Sequence, residues 1–73
     1  NQKQETEADL FGADLIAASS YNKCSVVSVW KRFASMEGDF DENQNLFSSH
    51  PYSKERANCI KNHYKNNYDV SCN

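Results

Sequence analysis

Apolar residues recur at three- and four-residue intervals in three separate stretches of this chain, and that period admits helices and little else. In the first stretch Ala8, Phe11, Leu15 and Ala18 share one helical face, flanked by Leu10 and Ile16. In the second, Val26, Val29, Trp30 and Phe33 form a stripe with Val27 beside it. In the third the face is thin: Ala57, Ile60 and Tyr64, with Cys59 alongside. Punctuation agrees, since two Gly and one Pro in 73 residues leave too few turn formers for hairpins. The pattern predicts an all-α fold. It has three helices, at about 3–19, 23–36 and 54–65, and a polar loop over 37–52. The first two helices are expected to be antiparallel, with the third across them.

Local signals sharpen the boundaries. Glu5, Glu7 and Asp9 fall in the opening turns of the first helix, where the macrodipole favours negative charge. Gly12 costs about 1 kcal/mol relative to Ala within a helix and suggests room for a second helix to approach. Asn22 and Ser53 are expected N-caps of the second and third helices. Pro51 biases His50 toward extended backbone. The expected core sets Val26, Val29, Trp30 and Phe33 against Phe11, Leu15 and Ile16, with Tyr21 also counted as core. The polar tail Asn66–Asn73, anchored only by Tyr68 and Val70, is expected to fray.

A chain of 73 residues is one small domain at most, and apolar residues make up only 38% of it. Its formal net charge of -2 argues against non-specific nucleic-acid binding, which needs a basic surplus. No apolar run approaches the ~20 residues that span a bilayer, and no signal-peptide core is present. Cys24, Cys59 and Cys72 cannot all pair within one chain, which excludes a dense disulfide scaffold and leaves room for one bridge. No Asn-x-Ser/Thr sequon occurs.

Chemistry is sparse. Glu5 and Asp9 lie one turn apart and could share a metal ion or a metal-bound histidine; acidic residues in a first turn also simply answer the helix dipole. Residues 39–45 resemble the start of a calcium loop, but Gln44 stands where Gly is needed and His50 where a Glu is. Glu55, Cys59 and His63 recur every four residues without a complementary ligand pair. Cys59 with His63 lacks an orienting third group.

The order of motifs is more specific. Glu5-Thr6-Glu7-Ala8-Asp9 is followed by an apolar helix, then Tyr21-Asn22-Lys23, a second helix with Trp30, then Ser49-His50-Pro51 before Glu55-Arg56-Ala57. This run, from about Glu5 to Tyr64, resembles the C-terminal half of the gluzincin metallopeptidases related to HtpX, BepA and the CAAX prenyl protease. Asn22-Lys23 replaces the usual Asp-Pro, and Ala57 the usual Ile. The His-Glu-x-x-His helix, source of two zinc ligands and the general base, is absent.

The resemblance implies that residues 1–73 are a C-terminal fragment of a larger zinc-dependent endopeptidase domain, inactive alone. It implies Glu5 as the third zinc ligand and Asp9 as a residue orienting one of the missing histidines. It makes His50 a displaceable ligand, and Arg56 a tie from the third helix to the first through Asp9 or Asp14. The implied partners are an upstream metallopeptidase segment and a polypeptide substrate, and the cofactor is zinc in the full-length parent. Localisation stays open, with the cell envelope favoured. The alternative reading is a non-catalytic helical interaction module or a degenerate peptidase remnant.

Overall fold

The computed structural model describes residues 1–39 and 53–73. Three helices make up the described fold: α1 over Gln2–Ala17, α2 over Lys23–Asp39 and α3 over Ser53–Tyr68. This is the all-α architecture expected from the period. Among the described residues no helix is long and apolar enough to cross a membrane.

Side-chain oxygens set the helix starts. Asn1 caps α1, its Oδ1 accepting the Gln4 N–H at 2.9 Å while the Gln4 side chain reaches back to the Asn1 nitrogen. α1 stops at Ala17, where the Ser19 hydroxyl donates to the Ile16 carbonyl at 2.7 Å and accepts the Tyr21 N–H at 3.1 Å. Asn22 then caps α2 as expected, accepting the Cys24 N–H at 2.8 Å. Ser53, the expected cap of α3, is the first helical residue and fully buried.

α3 is the central element. It packs most extensively on α2, and α1 rests on α3 more than on α2. The buried cluster is Ala13, Val27, Ile60, Tyr64 and Cys72, with Ala57 also buried and Ala17, Val26, Trp30 and Val70 packed around it. The predicted face of α3 is therefore the one used.

The predicted face of α1 is not. Phe11 and Leu15 are 67% and 57% exposed, Val29 is 48% exposed and Tyr21 74%. α1 instead turns its small residues inward. The Tyr64 ring fills the space beneath Ala13, and its hydroxyl donates to the Ala13 carbonyl at 3.0 Å. Ala13 is thus buried against α3 while the bulky stripe of Phe11 and Leu15 faces out. Gly12 borders a groove shared with Val26, Trp30 and Ile60, yet a Cβ there would meet nothing within 4 Å, so no described helix fills the room it leaves.

The tail also departs from expectation. Helix α3 runs a turn further than predicted, to Tyr68. The chain reverses at Asp69, whose φ of 54° is in the left-handed region that Asp tolerates better than most residues. Val70 then returns its N–H to the Tyr64 carbonyl at 3.2 Å. Cys72 is bonded to Cys24, with Cα atoms 5.4 Å apart. That one bridge closes α2, α3 and everything between them into a covalent ring. The tail is pinned rather than frayed.

Candidate metal-binding site

Arg56 organises the end of the bundle where α1 begins. Its guanidinium forks onto Asp9, with Nε to Oδ2 and Nη2 to Oδ1 both at 2.7 Å. Its Nη1 lies 3.9 Å from Glu5 Oε2. The guanidinium carbon stands 4.0 Å from the centre of the Trp30 ring. One side chain of α3 thus joins α1 and α2. The pair is nearly dry: the Arg56 side chain is 15% exposed and that of Asp9 is 9%. The hydrogen bonds to Asp9 push the Arg56 guanidinium above its already high ordinary value. Of the two partners the sequence leaves open for Arg56, the structure selects Asp9.

Glu5 is on the same face, one turn earlier. Its Oε2 is buried and has no hydrogen-bond partner among the described residues. Its oppositely charged neighbour is Arg56, whose Nη1 stands beyond hydrogen-bond distance. A buried carboxylate oxygen without a donor is costly, and native structures rarely leave one. It borders a cleft of about 160 Å³ lined by Gln2, Glu5, Thr6, Glu55, Arg56 and Cys59. Glu7, two residues on, is exposed. The donor set fits zinc in part: Glu5 offers a free carboxylate oxygen, a normal zinc donor. Among the described residues no group of three or more His, Cys, Asp or Glu converges to complete a site. His50, the other predicted ligand, lies outside the described residues, as does nearly all of the calcium-like stretch.

A second polar cluster lies further along α1 and α3. His63 Nε2 stands 2.6 Å from Asp14 Oδ1, and the Tyr68 hydroxyl donates to the same oxygen at 2.8 Å. The Asn67 amide is 3.2 Å from His63 Nδ1, and Lys23 lies 5.7 Å from the Tyr68 ring centre. The bonds from His63 and then Tyr68 hold the Asp14 carboxyl below its ordinary value. The same bond raises Tyr68. Burial, and then the Asp14 charge, raise Tyr64. His63 is therefore committed to tying α3 to α1. The spacing of Glu55, Cys59 and His63 does not gather a ligand set. The sequence offered no periodic signal for this cluster, because its members are 49 and 54 residues apart.

Residues 1–64 match Peptidase family M48. No curated protein and no solved structure matches the chain. The matched residues include the Glu5–Asp9 pair, the Arg56 fork and all of the buried cluster but Cys72, and on that match this chain belongs to peptidase family M48, a metallopeptidase family.

Proposed function

We propose that this chain is the C-terminal part of a zinc-dependent metalloendopeptidase domain and supplies its third protein ligand, Glu5. The observation that carries the reading is the buried Oε2 of Glu5, without a hydrogen-bond donor among the described residues and one turn before an aspartate held by Arg56. The other ligands and the general base would come from an upstream His-Glu-x-x-His helix. When bound, zinc would polarise the scissile carbonyl and activate water for attack on a polypeptide.

The residues of this chain have three roles in that reading. Glu5 offers a carboxylate oxygen and a negative charge to the metal. Asp9 is immobilised by the Arg56 fork, yet each of its oxygens keeps a further lone pair. It can accept the ring N–H of an upstream ligand histidine and so fix that ring's tautomer and orientation. Arg56 is a positioning residue that acts through Asp9. His50, just before Pro51, is assigned as a displaceable ligand that competes with water and substrate. Alone, the chain lacks the base and two ligands and should be inactive.

Metal content and peptide cleavage of the full-length protein test this. Glu5→Gln should lower both, because a neutral amide is a poor zinc ligand. Glu7→Gln should lower neither, since an i+2 residue points about 200° away around the helix. His50→Ala should leave zinc bound and preserve or raise cleavage. Calorimetry of the isolated chain should find no tight zinc site. Full zinc content and activity in Glu5→Gln would overturn the assignment.

A further inference from the structure

We propose that the Cys24–Cys72 bond is a redox clasp that makes the folded state of this chain conditional on an oxidising compartment. The bond joins the second residue of α2 to the tail beyond α3, across a separation of 48 residues. Cys72 is 6% exposed and belongs to the buried cluster, against Val27, Ile60 and Tyr64. The tail is also held by the Val70 N–H to the Tyr64 carbonyl, by the packing of Val70 and by the bond of Lys65 to Asp69. α1 hangs on α3 through Arg56–Asp9, Tyr64–Ala13 and the bonds of His63 and Tyr68 to Asp14. Whatever loosens α3 from α2 therefore parts α2 from the other two helices together.

The size of the effect follows from the ring. Opening a loop of this length returns chain entropy to the unfolded state, shifting the folded-to-unfolded ratio by roughly a thousandfold. That is about the whole ratio a core this small sustains without a staple. A dithiol reductant would pass two electrons to the bridge and become a disulfide itself. Cys24 and Cys72 would each take up a proton as thiols, and the tail would be freed. Such bonds persist where thiols are oxidised, outside the reducing cytosol. Cys59, the third cysteine, is unpaired and on the other side of α3's role: it lines the Glu5 cleft and takes no part. The inference does not rest on the zinc reading, and its test reads no metal.

Thermal melting of the 73-residue chain by circular dichroism, with and without dithiothreitol, measures the clasp. Reduction should lower the midpoint by about 15–30 °C. Cys59→Ser should keep that shift. Cys24→Ser should behave as the reduced chain does, with or without reductant. Independently, acid-quenched alkylation of the protein in its own cells should label Cys59 and leave Cys24 and Cys72 protected. Melting midpoints of oxidised and reduced chain within about 3 °C of each other would overturn the proposal, as would alkylation of Cys24 and Cys72 in cells.

Discussion

Arg56→Met is the sharpest probe of how the bundle is held. The change keeps an apolar stem over Trp30 and removes the fork. Asp9 is then left with its carboxylate 9% exposed and stripped of two 2.7 Å hydrogen bonds. Breaking a buried pair by removing one partner costs about 3–5 kcal/mol. Arg56 retains 15% exposure, so the lower end applies, about 3 kcal/mol. A core this size rarely supplies more than about 3–5 kcal/mol, so with the Cys24–Cys72 bond reduced the single variant should be close to unfolding. Asp9→Leu with Arg56→Met should recover much of the loss, because no carboxylate is then stranded. Urea unfolding of the four members of this cycle, followed by circular dichroism, gives a coupling energy that excludes Arg56's other contacts. We expect about 2 kcal/mol or more, against the 0.2–1 typical of exposed pairs. A coupling below about 0.5 kcal/mol would show that water already satisfies Asp9, and the account of a dry clamp would fail.

Three further outcomes follow from the packing. Gly12→Ala should stabilise the isolated chain by about 1 kcal/mol, since the new methyl meets open space and the helix gains propensity; a loss would mean the α1 face is covered. Leu15→Ser should change its unfolding midpoint little, whereas Ile60→Ala should cost about 2–5 kcal/mol; the reverse order would restore the core read from the pattern. In acid titration of stability, the share contributed by Asp14 is full above its ordinary value of 3.8. It is lost as pH falls through the lowered folded value. Asp14→Asn, facing His63 and Tyr68, should flatten that limb, and an unchanged acid limb would remove Asp14 from the account.

The helices were legible because a 3.6-residue period survives in all three stretches. The buried face of α3 was legible too, since Ala57, Ile60 and Tyr64 are its only apolar choices at that spacing. α1 had more than one apolar face to offer. Hydrophobicity alone favoured Phe11 and Leu15, but the residue of α1 buried with Tyr64 and bonded by its hydroxyl is Ala13. A contact made by a residue 51 positions away leaves no trace in local periodicity. The cysteine pairing was hidden for a similar reason: three thiols allow three bridges, and only the packing of the tail beside α2 selects Cys24 with Cys72. At the candidate site, the Glu5–Asp9 spacing was readable on the helix, and Arg56 came as a choice between two aspartates. The missing donor for Glu5 Oε2 needed atoms in space.

The covalent ring has a practical side in how this protein would be handled and turned over. Hydrolysis of any single peptide bond between Cys24 and Cys72 leaves both products tethered through sulfur. On a gel run without reductant the nicked molecule would migrate near the intact one, heavier by a single water. A cut before Cys24, by contrast, detaches α1 with its Glu5 from every covalent link to the rest. A protease that trims the chain at the α1–α2 turn would thus separate the candidate ligand from its scaffold, while one that cuts between α2 and α3 would not.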